Sequence, residues 1–214
     1  MMGRPVLIIG AGGHARVLIA ALIASRREIV GILHPDPAMI GQRVNGVKII
    51  GDDDAIRDYD SGTIELVNGI GSVSSPEKRR EIFVRFKDMG YSFARVIHPT
   101  AIIAEDVQSG EGAQIMAGTV VQTGCVISDN SIVNTGAILD HDCTVGAHSH
   151  IAPGAVLSGA VTVGDMAHIG TSATVIQGIR IGPHAVVGAG SVVIDHIALG
   201  ARVAGVPARE IVLR

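Results

Sequence analysis

The sequence contains few aromatic residues and few cysteines, and it has no strong net charge. Its 214 residues include no Trp, two Tyr and three Phe. An interior must therefore be filled by Val, Ile, Leu and Ala, which favours a thin, regular structure over a bulky globule. A net charge of −3 excludes the basic surface that nucleic acids or anionic membranes require. Two cysteines make no disulfide framework and favour a reducing, cytoplasmic location.

Long apolar runs are also missing. The N-terminal stretch MMGRPVLIIGAGGHARVLIAALIAS is apolar but broken by glycine, and it lacks the charged start and the cleavage site of a signal peptide. No uninterrupted apolar run reaches about 18 residues. We therefore expect a protein without a membrane span.

The first part of the chain, residues 1–95, alternates patterns typical of strands and helices. The predicted elements are, in chain order, strand 5–10, helix 14–25, strand 28–33, strand 47–51, helix 52–59, strand 64–71, helix 75–90 and strand 93–97. Such alternation predicts a Rossmann-like parallel sheet with helices packed against it.

From about residue 96 the period changes to six. Divided from Val96 onward, the chain gives 17 hexapeptides without an insertion, and the second residue is Ile, Val or Leu in all of them except the one with Ser109. The sixth residue is small in nearly every hexapeptide. This repeat predicts a parallel β-helix in which three hexapeptides form one triangular coil. The aliphatic residue should point inward, and the small residue should lie where a corner turns tightly.

The two cysteines fit this repeat. Cys125 and Cys143 are three hexapeptides apart, and both take the sixth position of a hexapeptide. We expect them to stack as small residues that point to the core. Cys143 as a catalytic nucleophile is a weaker alternative, because a core position hides the thiol.

A charged tetrapeptide, DHDC, interrupts the otherwise bland repeat. Asp140, His141 and Asp142 are the third to fifth residues of their hexapeptide, which should face outward at a turn. A carboxylate beside a histidine fixes the position of its proton and raises its basicity, as a general base near neutral pH needs. A solvated loop is the alternative interpretation. Four further histidines follow closely at positions 148, 150, 168 and 184, which favours a site or an interface on a rigid scaffold.

A glycine-rich turn, GAGGHA, follows the first predicted strand at residues 10–15 and opens the first helix. Backbone N–H groups at such a turn bind phosphate well. The pattern also occurs in NAD(P)-binding folds, but the second strand ends in ILHPD, without an acidic residue directly at the ribose position. Glycines needed only for a tight turn are a third possibility.

Four features together resemble the nucleotide-sugar N-acetyltransferases of the left-handed β-helix family, which act on perosamine, bacillosamine and sialic acid precursors. They are the hexapeptide run, GAGGHAR at 10–16, the DHDC corner and GVPAR at 205–209. The resemblance implies a homotrimer and three segments. These are a Rossmann-like nucleotide-sugar domain at 1–95, a left-handed parallel β-helix for acetyl-CoA at 96–200 and a C-terminal cap at 201–214.

The resemblance also implies the reaction, which needs no metal. The acetyl group of acetyl-CoA passes directly to the C4 amine of a nucleotide-linked 4-amino-4,6-dideoxy sugar, with GDP-perosamine favoured. His141 corresponds to the general base and Asp142 to the acid that raises its pKa. Gly159 corresponds to an N–H that stabilises the oxyanion. The other implied positions are His150, Thr171 and Ala189 for acetyl-CoA, and Gly12, Gly13, His14 and Asp36 for the nucleotide sugar.

Several alternatives stay open at this point. A UDP-linked 4-amino sugar or a sialic acid O-acetyltransferase would share the layout. A non-enzymatic β-solenoid leaves the phosphate-binding turn unexplained, and an NAD(P)-linked oxidoreductase leaves the β-helix without a task. A metal-dependent hydratase is more remote. His148 and His184 should stack two coils apart, but Ala189 stands where a third ligand is expected.

Overall fold

The computed structural model describes residues 3–72 and 76–211. Ser75, where the predicted third helix begins, lies outside them. The chain forms two compact units, Met1–Pro99 and Thr100–Arg214. Within the described ranges, no helix is both long enough and apolar enough to cross a membrane.

The first unit is an α/β domain, as predicted. Its strands are β1 (Val6–Ile9), β2 (Ile29–Leu33), β3 (Arg43–Val44), β4 (Val47–Gly51), β5 (Glu65–Asn68) and β6 (Val96–Ile97). Its helices are α1 (Gly13–Ala24) and α2 (Pro76–Asp88), with two 3₁₀ helices at Pro37–Met39 and Asp53–Asp58. Apolar strands such as VLII at β1 are buried along their whole length, as expected where both faces of a sheet are covered.

Five strands form one sheet in the order β3-β4-β2-β1-β5. All neighbours are parallel except β3 and β4. From β1 the chain moves to β2 on one side and later to β5 on the other. The loops after β1 and β5 therefore diverge at the carboxyl edge, which is where parallel α/β sheets bind their ligands.

Three predicted elements of this unit are shorter or different in the structure. Residues 52–59 give the 3₁₀ helix Asp53–Asp58, because the Asp52 carboxylate accepts the Asp54 N–H and favours a tight turn. The strand predicted at 64–71 ends at Asn68, whose side-chain oxygen accepts the Ile70 N–H. Of 93–97, only β6 is a strand, and Phe93 forms an isolated bridge with Leu66.

The second unit is a parallel β-helix built from two-residue strands. The strands are β7 (Ile102–Ile103), β8 (Gln108–Ser109), β9 (Gln114–Ile115), β10 (Val120–Val121), β11 (Val126–Ile127), β12 (Ile132–Val133), β13 (Ile138–Leu139), β14 (Thr144–Val145), β15 (His150–Ile151), β16 (Val156–Leu157), β17 (Thr162–Val163), β18 (His168–Ile169), β19 (Thr174–Val175), β20 (Arg180–Ile181), β21 (Val186–Val187) and β22 (Val192–Val193), followed by β23 (Arg202–Ala204) and β24 (Arg209–Glu210). Each starts at the first residue of a hexapeptide up to β22.

The strands form three faces. Face 1 contains β7, β10, β13, β16, β19 and β22; face 2 contains β8, β11, β14, β17 and β20; face 3 contains β9, β12, β15, β18 and β21 and continues into β23 and β24. From β7 to β19, each strand pairs in parallel with the strand three hexapeptides later, for example Ile138 with Val156. The predicted coil length is therefore confirmed. We call the turns after faces 1, 2 and 3 corners 1, 2 and 3.

The corners differ from the prediction in one respect. The left-handed residue is the fifth of the hexapeptide, with positive φ recurring every six residues from Gly112 to Gly190. The sixth residue, predicted at the tight turn, is instead buried inside the prism, as Cys143 and Ala155 illustrate. A small side chain is required there because it points inward beside the corner backbone.

Candidate functional site

Corner 1 carries His141 in a column of stacked residues. The fourth positions of this corner are Glu105, Thr123, His141, Gly159, Gln177 and Asp195, each one coil beyond the last, in the register of the face 1 strands. The His141 side chain is 46% exposed. The DHDC turn therefore presents its imidazole outward on a rigid support, as predicted.

His141 and Asp142 form a hydrogen-bonded pair. His141 Nδ1 lies 2.8 Å from Asp142 Oδ2. The hydrogen bond to Asp142 raises the pKa of His141, and the negative charges of Asp140 and Asp142 act in the same direction. Asp140 Oδ1 also accepts the His141 backbone N–H at 2.8 Å. With Nδ1 donating to a carboxylate, the lone pair of the neutral imidazole is on Nε2.

Asp142 holds its position through the backbone of the preceding coil. Its φ of 60° is left-handed, a conformation that Asp tolerates better than most residues. Its N–H donates to Thr123 O at 3.0 Å. A Cβ added to Gly124 would lie 2.3 Å from Asp142 Oδ1, so glycine at 124 leaves room for the carboxylate.

Gly159 lies beside the other side of the imidazole. A Cβ at this position would be 2.3 Å from His141 Nε2, so only glycine leaves the ring where it is. At two other fourth positions the backbone N–H has an acceptor within the chain. The His141 N–H donates to the Asp140 carboxylate, and the Ala147 N–H donates to the Asp165 carboxylate. In the part of the chain that the structure describes, no acceptor receives the Gly159 N–H. This donor belongs to the residue beside His141 Nε2 and is available to a bound molecule.

The other positions predicted for acetyl-CoA lie elsewhere on the same prism. His150 begins a strand of face 3, is 4% exposed, and packs edge-on against His168 with ring centroids 5.0 Å apart. Thr171 and Ala189 are exposed and stacked at corner 3. Within one chain, the structure thus brings together His141, Asp142 and Gly159 and separates them from these three.

The cysteines are core residues. Cys125 and Cys143 are free and buried, and their thiols donate to Asp140 O and Ser158 O. Burial raises the pKa of Cys143 to about 12. A thiol that stays protonated and buried cannot attack an acyl group, which argues against Cys143 as a nucleophile.

The histidines of corner 2 lie apart along the prism. His148 and His184 both adopt the left-handed fifth position, two coils apart, with Met166 between them. His148 Nδ1 lies 2.9 Å from Asn130 Nδ2. Over residues 3–72 and 76–211, no three His, Cys, Asp or Glu side chains converge in a way that could hold a metal ion.

The glycine turn of the first unit has two kinds of glycine. Gly10 has a φ of 93°, and a Cβ there would lie 2.6 Å from Ile70 Cδ1. Gly12, the N-cap of α1, has an ordinary φ of −78°. A Cβ at Gly12 or Gly13 would meet nothing within 4 Å. Gly10 thus serves the fold, whereas Gly12 and Gly13 leave open space at a helix N-terminus.

The loop after β5 forms the neighbouring wall of this carboxyl edge. Gly69 N–H donates to Ile9 O at 2.8 Å, and a Cβ on Gly71 would lie 3.6 Å from the Cβ of His14. The buried Arg79 holds the loop, because Nη1 donates to Asn68 O at 3.0 Å and to Ile70 O at 2.7 Å.

Arg79 is absent from the predicted site residues. Its burial lowers its pKa to about 9. Its spacing from Phe83 and Phe86 places all three on the buried side of α2, and this helical spacing is the signal in the sequence that could have identified it.

Asp36 lies just after β2 at the same edge. Its Oδ1 accepts the Ala38 N–H at 2.9 Å and caps the 3₁₀ helix that begins at Pro37. Its own N–H donates to His34 Nδ1 at 3.1 Å. The exposed carboxylate thus has one local role, and its second oxygen is open to a ligand.

Two protein families match parts of the chain. Residues 5–86 match the PglD N-terminal domain. Residues 124–159, which include the DHDC corner, match the bacterial transferase hexapeptide family (six repeats). A search of curated proteins gave no match.

Solved structures match nearly the whole chain. PerB from Caulobacter crescentus, in complex with CoA and GDP-perosamine, is 38% identical, with 99% of this chain and 98% of that chain covered and a TM-score of 0.90. A mutant of perosamine N-acetyltransferase from Caulobacter crescentus, with one histidine replaced by asparagine, also holds CoA and GDP-perosamine at 37% identity, 99% and 98% coverage and a TM-score of 0.89. The acetyltransferase domain of PglB from Neisseria gonorrhoeae FA1090, in complex with acetyl coenzyme A, is 34% identical, with 98% and 100% covered and a TM-score of 0.90.

These matches extend over both units of the chain and agree with the α/β domain and the hexapeptide coils described above. The chain belongs to the hexapeptide-repeat family of acetyl-CoA-dependent sugar N-acetyltransferases.

Proposed function

We propose that this protein transfers the acetyl group of acetyl-CoA to the C4 amine of a nucleotide-linked 4-amino-4,6-dideoxy sugar, with GDP-perosamine as the favoured substrate. The observation that carries the proposal is the His141–Asp142 pair beside the Gly159 N–H. The relatives that hold CoA together with GDP-perosamine support the substrate class.

The proposed mechanism uses three groups of corner 1. The sugar amine attacks the thioester carbonyl, and His141 Nε2 accepts a proton from the attacking nitrogen. Asp142 keeps Nδ1 protonated and stabilises the imidazolium that forms. The Gly159 N–H donates to the oxyanion of the tetrahedral intermediate. The protonated imidazole then returns the proton to the departing CoA thiolate, so no acyl-enzyme forms.

The first unit is proposed to hold the nucleotide sugar. The open N-terminus of α1 at Gly12 and Gly13 offers backbone N–H groups to the diphosphate, and His14 adds a donor. Asp36 is placed to contact the ribose or the base. We accordingly assign residues 1–95 to the nucleotide sugar, 96–200 to acetyl-CoA and 201–214 to a cap.

We further propose that the prism is left-handed and assembles as a homotrimer. The first residues of the face 1 strands form an outward column that is aliphatic except at Thr174, with Ile102 68% and Ile138 39% exposed. His141 and Gly159 lie at one corner, while Thr171 and Ala189 lie at another. Threefold symmetry sets a corner of one copy against a face of the next and completes three sites at once. Sedimentation of a fully active monomer would contradict this assembly.

Acetyl-CoA and a nucleotide sugar as substrates, together with two free thiols, favour a cytoplasmic enzyme. A UDP-linked 4-amino sugar is the main alternative substrate, and a sialic acid O-acetyltransferase is the next.

One experiment tests the function and another separates the alternatives. Purified protein with acetyl-CoA and GDP-perosamine should release free CoA thiol and give a product one acetyl group heavier by mass spectrometry. No thiol release with any 4-amino sugar nucleotide would refute the proposal. Calorimetric titration should give tighter binding of GDP than of UDP, and the reverse order would assign the UDP-linked sugar.

A further inference from the structure

A carboxylate two coils before the DHDC corner holds the turn on which Asp142 rests. Asp106 Oδ2 accepts hydrogen bonds from Thr123 Oγ1 at 2.7 Å and from the Gly124 N–H at 2.9 Å. Thr123 O accepts the Asp142 N–H at 3.0 Å. A continuous hydrogen-bonded path therefore runs along corner 1 from Asp106 through the 123–124 turn to the His141–Asp142 pair.

The shape of the 123–124 turn decides where the Asp142 carboxylate can lie. Gly124 has a φ of 73°. Asp142 Oδ1 occupies the space beside its Cα, where an added Cβ would lie only 2.3 Å from that oxygen. A displacement of this turn by a few tenths of an ångström would therefore move the carboxylate. Asp106 holds the turn at two points, one on the side chain of Thr123 and one on the backbone of Gly124.

Corner 2 carries similar carboxylates, away from the His141–Asp142 pair. Asp129 Oδ1 accepts the Glu111 N–H at 2.7 Å, and Asp165 Oδ1 accepts the Ala147 N–H at 2.8 Å. Each joins neighbouring coils through one hydrogen bond to the preceding coil, whereas Asp106 makes two to the following coil. They therefore provide controls that match the structural part of its role.

We propose that Asp106 is a positioning residue for acetyl transfer, because it fixes the 123–124 turn and thereby keeps the Asp142 carboxylate against His141 Nδ1. This inference rests on the proposed function for its catalytic consequence. Its structural consequence, the contact between Asp142 and His141, can be measured without any substrate.

The groups that shift the pKa of His141 are its two neighbours in the DHDC turn. Asp142 and Asp140 raise the pKa of His141. The hydrogen bonds from Thr123 and Gly124 lower the pKa of Asp106, so Asp106 stays ionised over the whole titration of a histidine. A change in the titration of His141 in an Asp106 variant therefore reports geometry or field, and not the titration of Asp106 itself.

The experiment is an NMR titration of histidine-labelled full-length protein, with the His141 signal assigned by its loss in His141→Asn. Asp142→Asn should lower the pKa of His141, which sets the largest shift available. Asp106→Ala should lower it in the same direction by part of that shift. Asp106→Asn keeps an acceptor oxygen for Thr123 and Gly124 and should restore the wild-type value. Asp165→Ala should leave it unchanged at a similar loss of thermal stability.

The hydrogen bonds from Asp106 to the turn that supports Asp142 also predict an effect on the rate of acetyl transfer. Asp106→Ala should lower kcat by roughly threefold to tenfold, always less than Asp142→Asn, with the KM values little changed. In an Asp142→Asn background, Asp106→Ala should have no further effect on the histidine titration, because neighbouring parts of one network are not additive.

Two results would overturn the inference. One is an unchanged His141 titration in Asp106→Ala while Asp142→Asn lowers it. The other is an Asp106→Asn variant that behaves like Asp106→Ala, since this would mean that charge at a distance acts, and not the clamp. Absence of acetyl transfer in the wild-type protein would instead refute the proposed function and leave the titration result standing.

Discussion

The glycines of the two units differ in what occupies the space where a Cβ atom would lie. At Gly159 and Gly124 that space is filled by the chain itself, by the imidazole of His141 and the carboxylate of Asp142. At Gly12 and Gly13 nothing in the chain lies within 4 Å. Neither Gly12 nor Gly13 has a positive φ, so the backbone does not require glycine there.

This difference separates two uses of the same residue. In the β-helix, glycine makes room for side chains from the neighbouring coil, which we propose to be catalytic. In the α/β unit, glycine leaves room for a group that the chain does not supply, and the adjoining helix N-terminus favours a phosphate. Substitutions at the two places should therefore affect different steps of the reaction.

The largest effect is expected from the side chain that fills the space above Gly159. His141→Asn removes the base but keeps a polar side chain of similar size at an outward turn. General-base catalysis contributes about 10²–10⁴ in rate, so kcat should fall by that factor. Melting temperature, sedimentation and CoA binding should match the wild type. Wild-type kcat in this variant would show that the imidazole is not the base.

Filling the same space from the other side should have the next largest effect. The Cβ of Gly159→Ala would push the imidazole away from its position, and a displacement near 1 Å can cost about 10² in rate. The imidazole is half exposed and free to swing outward, so thermal stability should change little. A steady-state assay and a melting curve check both statements. An unchanged kcat would mean that the position of Nε2 is not critical.

A methyl group in the open space at Gly13 should change substrate binding and protein stability in opposite directions. Gly13→Ala meets no protein atom and replaces glycine at the start of α1, so unfolding should cost about 0.5–1 kcal/mol more. The added methyl group should weaken binding of the nucleotide diphosphate by roughly tenfold in calorimetry. A more stable protein with undiminished affinity would show that the space above Gly13 is not the phosphate site.

His14 should give the smallest effect and the clearest division between substrates. His14→Ala should raise the KM for the nucleotide sugar several-fold, because one donor to the phosphates is lost, and leave the KM for acetyl-CoA unchanged. Initial rates with each substrate varied in turn test this. Equal changes in both KM values would make the turn purely structural.

The coil, the core column and the DHDC corner could be predicted because the hexapeptide repeat fixes each side chain by its position. Val145 and Leu157 point inward and His141 outward for that reason alone. The left-handed fifth position was missed although glycine recurs there, as at Gly124, Gly136 and Gly154, because residues such as Ala160 and Met166 interrupt that pattern. His150 lies apart from His141 because its hexapeptide belongs to face 3, whereas that of His141 belongs to face 1. The resemblance assigned both to one site without considering their faces.

The α/β unit was less predictable in detail. The end of β5 depends on a side-chain hydrogen bond of Asn68, and the loop after β5 depends on Arg79. The helical spacing of Arg79 indicates that it is buried, but not which carbonyl groups it contacts. Asp36 lies just beyond the second strand, as predicted, but its capping hydrogen bond depends on the local turn.

The most direct test of the central claim is the pH dependence of kcat at saturating acetyl-CoA and sugar nucleotide, in the wild type and in Asp142→Asn. A general base acts when neutral, so kcat should fall as the pH drops through the pKa of His141. The hydrogen bond to Asp142 raises that pKa, so its loss should move this acidic limb to lower pH with a smaller fall in rate than His141→Asn gives. A limb at the same pH in both proteins would contradict the account, because it would then belong to the amine of the substrate and not to His141.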